Sequence, residues 1–282
     1  MTFFEALHAH ELPLIQALQT IRTPWLDAFM FCLQFFDSIA FYVLLIPVIW
    51  YGYNQRCGKL FLALSALTLA LNVDLKDLFS QPRPCVLLPE LCLGHATSYG
   101  FPSGAAQGWT ILVGFLCLTI RKTWFTVASL LALVLVCFSR VYLGVHFPSD
   151  IVGGLIFGLG VLTLFWYLSP PIEHFLLTSS KLTQLLISLL AVFILAGFSI
   201  QTLVYSNPFL ILWVGGTIGL IWGKPLPPPT SFMQRLSRVA LAIAGIIIIH
   251  LITDHTPLYS PATFLLSGLW ISFGVPAVLS RT

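Results

Sequence analysis

The chain has 282 residues, of which 58% are hydrophobic and only 8% charged, and its mean hydropathy is +0.95. A water-soluble domain needs far more charge on its surface, so that class is excluded and lipid is the solvent for most of the molecule. The 13 Lys and Arg residues are scattered and the net charge is only +3, which excludes a nucleic-acid surface.

In chain order, residues 1–34 come first, where Glu11, Arg22 and Asp27 interrupt the apolar pattern of Leu14, Ile15, Leu18 and Ile21. That mixture predicts helices lying in the membrane interface. The start lacks the basic residues and clean apolar core of a cleaved signal peptide. Apolar runs long enough to cross about 30 Å of hydrocarbon then fall near 35–53, 59–79, 104–120, 123–140, 150–168, 184–204, 207–222, 239–253 and 260–278. The expectation is an all-α polytopic membrane helix bundle of about nine transmembrane helices behind the interfacial segment. Its organisation reads as interfacial helices at 1–34, a core of five spans at 35–168 and four further spans at 169–282.

Nine spans place Arg56, Lys59, Arg121, Lys122, Lys181, Lys224, Arg235, Arg238 and Arg281 on one side, leaving Arg22, Lys76, Arg83 and Arg140 on the other. Basic loops stay cytoplasmic, so the amino terminus and the second face look toward the periplasm of a bacterial inner membrane or an organelle lumen. That face carries the long loop Ser80–Pro102, and long loops in compact domains usually carry function. Its Cys85 and Cys92 either pair, if the compartment is oxidising, or stay free. Cys32, Cys57, Cys117 and Cys137 show no metal-ligand spacing and read as apolar filler.

Three stretches on this face carry chemistry. In Lys76-Asp-Leu-Phe-Ser-Gln-Pro-Arg83-Pro84 a span ends in two cations seven positions apart, about two helical turns, so both heads can point one way. In Phe101-Pro102-Ser103-Gly104 a new helix opens with free N–H groups suited to an anion. In Ser139-Arg140-x5-His146-x3-Asp150 an Arg, a His and an Asp surround the turn between two spans. Singly, each has an ordinary reading: a snorkelling lysine, a capping histidine, an acid favoured by a helix dipole. Their convergence on a face otherwise poor in basic residues points to an anion site.

Taken in order, Lys-x6-Arg-Pro, Pro-Ser-Gly and Ser-Arg-x5-His-x3-Asp resemble the type-2 phosphatidic-acid phosphatase family over roughly residues 30–168, and the nine-span layout looks, more weakly, like the glucose-6-phosphatase branch. The resemblance implies a metal-independent phosphatase that needs no cofactor. It makes His146 the nucleophile that forms a phospho-histidine, with Asp150 holding its other ring nitrogen. Lys76, Arg83, Arg140, Ser103 and the Gly104 amide then bind the phosphoryl oxygens.

One position departs from the pattern. Where the family has His after Pro-Ser-Gly, this chain has Ala105, so the group that would protonate the leaving oxygen is missing, a step typically worth about 10² to 10⁴ in rate. Three readings follow: an inactivating substitution in an otherwise intact enzyme, a natural pseudo-phosphatase that holds lipid phosphate, or an enzyme whose leaving group needs little protonation or that borrows another acid, His95 being the nearest. A site at the membrane face suits a lipid phosphate or pyrophosphate as partner, its tails in the bilayer, and a sugar phosphate stands as the alternative on the layout. Asp254 and His255 lie on the same face and either line the substrate's path or close a hairpin. Sparse intramembrane charge argues against a transporter.

Overall fold

The computed structural model describes residues 3–94, 97–197, 208–224, 226–253 and 260–280, so His95, Asp254 and His255 lie outside the described residues. Among the described residues every regular element is helical: α1 Phe3–Gln19, α2 Pro24–Leu33, α3 Ile39–Pro47, α4 Gln55–Phe79, α5 Pro84–Leu87, α6 Gly104–Ile120, α7 Thr123–Tyr142, α8 Pro148–Thr178, α9 Lys181–Leu195, α10 Pro208–Trp222, α11 Phe232–Thr253, α12 Pro261–Leu269 and α13 Val275–Leu279. Five segments are long and apolar enough to cross a membrane: Gln55–Leu87, Thr123–Tyr142, Pro148–Thr178, Phe232–Thr253 and Pro261–Leu279. The pair Pro24–Asp37 and Ile39–Tyr53, bent by 58°, makes a sixth if it is one broken span. The runs expected at 104–120, 184–204 and 207–222 appear as the shorter apolar helices α6, α9 and α10. Caps set the bounds of α6, which match the expected run: Ser103 starts it, and Arg121, in the left-handed region at φ +54°, ends it. Large apolar side chains stand exposed along the outer faces, including Leu131 and Val134 on α7, Ile156 and Leu159 on α8, and Leu251 and Ile252 on α11. In water such a surface would aggregate, whereas lipid tails solvate it.

The chain divides into two compact units, with boundaries inside α3, α4 and α8. The first contains residues 1–42 and 71–164. Its interior is built from Met30, Leu33, Tyr142, Leu143 and Val145 in one cluster, Ile15, Leu91 and Phe147 in a second, and Ala106, Cys137 and Ile151 in a third. The second and third clusters pack α1 and α6 around the turn that joins α7 to α8. The α6 and α8 helices approach so closely that a Cβ on Gly154 would lie 2.5 Å from the Ser103 carbonyl oxygen. Only glycine permits that approach, and it brings the start of α8 against the start of α6.

The second unit contains residues 43–70 and 165–282. Phe209, Leu210 and Leu212 of α10 are fully buried in it. Polar anchors complete it: Tyr51 Oη donates to the Ile271 carbonyl, Trp270 Nε1 donates to the Ala242 carbonyl at 3.2 Å, and Arg56 pairs with Glu173 at 2.6 Å.

Candidate active site

The site lies in the first unit and grows from the turn between α7 and α8. The α7 helix ends at Tyr142, and Gly144 then takes the chain through φ +69°. A Cβ there would sit 2.0 Å from the Leu91 carbonyl oxygen, so the turn admits only glycine. His146 follows, and Pro148 starts α8 with a ring suited to a first helical position, putting Asp150 in the first turn. Asp150 Oδ2 lies 3.1 Å from His146 Nδ1 and accepts the Phe147 N–H at 3.0 Å. With Nδ1 as the donor to this carboxylate, Nε2 carries the lone pair. It faces Arg83 Nη1 at 3.1 Å.

Backbone carbonyls and a few side chains hold the three cations in place. Arg83 donates to the Ser98 carbonyl at 2.6 Å, the Val145 carbonyl at 2.7 Å and Ser98 Oγ at 3.1 Å. Lys76 Nζ donates to the carbonyls of Tyr99 at 2.6 Å and Gly100 at 3.3 Å. Arg140 donates to Ser139 Oγ at 3.2 Å and meets Asp37 Oδ2 at 3.3 Å. The loop Ser80–Pro102 therefore acts as a rack of carbonyl acceptors that aims cations without neutralising them. Lys76, Arg83, Arg140, His146 and Asp150 are all buried. Three cations against Asp150 and Asp37 leave positive charge that an anion would neutralise in a low-dielectric setting.

Ser103 caps α6, its Oγ accepting the Ala106 N–H at 3.4 Å while its own N–H donates to the Asp150 carbonyl at 2.9 Å. That bond ties the first turn of α6, with its outward amides at Gly104 and Ala105, to the residue that orients His146. Ala105 is buried and presents only a methyl group. Every site residue expected from the motifs is thus gathered around one turn. Burial pushes the His146 pKa well below its ordinary value, and the nearby charges of Arg83, Lys76 and Arg140 push the same way. The ring is therefore neutral and its lone pair available at neutral pH.

The motifs do not reveal the surroundings that complete the site. Asn72, one turn before Lys76 on α4, donates to Gln107 Oε1 at 2.9 Å and to the Pro102 carbonyl at 3.3 Å. Its i, i+4 spacing from Lys76 is a signal available in the sequence. From α1, His8 stacks on Phe147 with ring centroids 4.0 Å apart, and both Glu11 oxygens accept from Ser149, one from its N–H and one from its hydroxyl, each at 2.7 Å. Burial raises the Glu11 pKa, and the Ser149 bonds oppose that rise. The Asp37 partnership with Arg140 spans 103 residues, and no local pattern announces it. Cys85 and Cys92, the candidate pair in the loop, are free thiols here.

The chain has relatives among known proteins. The PAP2 superfamily model matches residues 58–173, which contain all three motifs. Phosphatidylglycerophosphatase B of Bacillus subtilis (strain 168) is 35% identical over 164 residues, covering 53% of this chain and 77% of that protein. Lipid phosphate phosphatase delta of Arabidopsis thaliana is 27% identical over 268 residues, covering 84% of this chain but only 64% of that protein's length. Among solved structures, the transmembrane PAP2-type phosphatidylglycerolphosphate phosphatase from Bacillus subtilis aligns with a TM-score of 0.51 at 28% identity, covering 59% of this chain and 88% of its own. The apolar helices and these membrane relatives make the chain an integral membrane protein.

Proposed function

The chain belongs to the PAP2 superfamily, and from that premise we propose that it is an integral membrane phosphatase that hydrolyses a lipid phosphate or lipid pyrophosphate through a phospho-histidine at His146. The observation that carries the proposal is the His146 imidazole, fixed by Asp150 through Nδ1 and set with its Nε2 lone pair beside Arg83, Lys76 and Arg140. A phosphoryl group entering this space meets the guanidinium groups of Arg83 and Arg140, the Lys76 ammonium and the first amides of α6 behind Ser103 and Gly104. Nε2 attacks phosphorus in line with the leaving oxygen, Asp150 stabilises the imidazolium that forms, and water then cleaves the phosphorus–nitrogen bond.

Ala105 impairs this cycle for leaving groups that need a proton. The same residue favours the second reading, a pseudo-phosphatase that binds lipid phosphate and holds it. A sugar-phosphate phosphatase is the other alternative and rests on layout alone. We read the five long helices, the Ile39–Tyr53 arm of the bent segment, and α6, α9 and α10 as about nine crossings. The amino-terminal helices at 1–34 then lie in the interface beside the site, with the phosphatase core at 35–168 and four added spans at 169–282. The basic loops of this arrangement stay cytoplasmic, and the site opens to the periplasm or an organelle lumen.

The test is an acid-labile, alkali-stable phosphoenzyme. Rapid quenching during turnover of a labelled lipid phosphate is expected to trap label on His146 and none in His146→Ala, with phosphate release lost by about 10³-fold or more in that variant. Undiminished phosphate release by His146→Ala would overturn the proposal.

A further inference from the structure

We infer that the Asp37 carboxyl group supplies the proton that position 105 cannot, acting as general acid and then general base; this rests on the phosphatase reading above. Asp37 closes the short turn Gln34–Asp37 at the 58° bend between α2 and α3. Its Oδ2 lies 3.3 Å from Arg140 Nη1, and its side chain is 31% exposed where that of Arg140 is 5% exposed. It also lies within electrostatic range of Lys76 and Arg83. The carboxylate therefore borders the phosphoryl clamp and is reachable from outside it.

The packing of α6 sets the turn that carries this carboxylate on the helix face that holds position 105. Positions 105 and 109 are one turn apart on one helix face. Trp109 Nε1 donates to the Phe36 carbonyl at 2.8 Å, and its ring meets those of Phe36 and Phe41, each at 6.1 Å between centroids. The α6 face that carries Ala105 thus packs on the turn that carries Asp37. Helical side chains lean toward the amino terminus, so a side chain at 105 would reach the site end of that same face. The other carboxylates of the site are committed elsewhere: Asp150 to His146 and the Phe147 N–H, and Glu11 to Ser149. Among the described residues, Asp37 is the carboxylate paired with a clamp cation and not with the nucleophile.

The step follows from an exchange of partners. Phosphoryl oxygens take over Arg140, and Asp37, now facing a dianion, takes up a proton from solvent water as the substrate binds. As Nε2 bonds to phosphorus, the bond to the leaving oxygen breaks, and that oxygen keeps the electron pair and takes the Asp37 proton. The free carboxylate then accepts a proton from the water that attacks the phospho-histidine. The phosphorus–nitrogen pair returns to Nε2, and Asp37 ends protonated, as it began.

The experiment measures phosphate release in detergent from a long-chain alkyl phosphate, whose leaving group is poor, and from p-nitrophenyl phosphate, whose leaving group is good. Asp37→Asn is expected to lose about 10²-fold or more on the alkyl substrate and clearly less on the aryl one. Adding Ala105→His to Asp37→Asn is expected to recover the alkyl activity, which also shows that the variant folds. A role for Asp37 confined to holding Arg140 would lower both substrates alike and resist that rescue, and either result overturns the inference. So does a parent chain silent on the alkyl substrate that Ala105→His alone awakens, a result that leaves the phosphatase reading intact. Silence of the parent and of Ala105→His on both substrates defeats the phosphatase reading and the inference with it.

Discussion

At His146 the two ring nitrogens are distinguished by their neighbours, Asp150 at Nδ1 and Arg83 at Nε2, and the proposed nucleophilic role rests on that asymmetry. Burial and three cations lower its pKa from 6.5, so the ligand-free protein keeps the neutral ring to lower pH than an exposed histidine would. The acid limb of the kcat/KM profile is therefore expected below pH 6.5, and a limb at or above that value would count against the assignment. Stability follows the same sign. The unfolded chain takes up a proton near pH 6.5 that the folded ring refuses, so stability falls as pH drops from about 6.5 toward the lowered folded pKa. A thermal midpoint lower at pH 5 than at pH 7, with a smaller difference in His146→Ala, is the expected outcome. His146 and Asp150 were legible in the sequence by their spacing of four, whereas the helical spacing expected for Lys76 and Arg83 does not hold. The α4 helix ends at Phe79, Ser80 turns through φ +49°, and Arg83 is extended, its head brought to the site by the Ser98 and Val145 carbonyls. Asp37 and Glu11 were not legible, since their partners lie 103 and 138 residues away and nothing local marks the pairing.

Among the helices, α1 is tied to α8 by a carboxylate that satisfies orphan donors at the start of the second helix. Glu11→Ala removes both bonds and leaves the half-buried Ser149 without them. A loss of about 1–2 kcal/mol is expected, read as a lower denaturation midpoint together with reduced phosphate release, because Ser149 stands one residue from Asp150. No change in either would show that α1 is a bystander. The mixed polarity of residues 1–34 signalled helices, and both α1 and α2 form. Their attachment to the turn that carries His146 required the tertiary fold. The α6 boundaries were legible because Pro102, Ser103 and Gly104 form a helix start. The bend at Asp37 was not expected, although the polar pair Asp37-Ser38 interrupts the apolar run near its start; Ser38 accepts the Phe41 N–H at 3.2 Å there, and the turn packs against α6 and α7.

In the first unit Lys76, Arg83, Arg140, His146 and Asp150 collect around one turn, and on the proposed reading a headgroup reaches them while its tails remain in lipid. Composition alone made the membrane class legible. The division into two units was not, since it falls within α3, α4 and α8 and no linker marks it. The central claim is that the substrate is a lipid phosphate, and the most direct test compares kcat/KM for a long-chain lipid phosphate in mixed micelles with that for glucose 6-phosphate. If the tail's binding energy is used at the site, the lipid is expected to react faster by about 10²-fold. Equal or faster hydrolysis of the sugar phosphate would contradict the account.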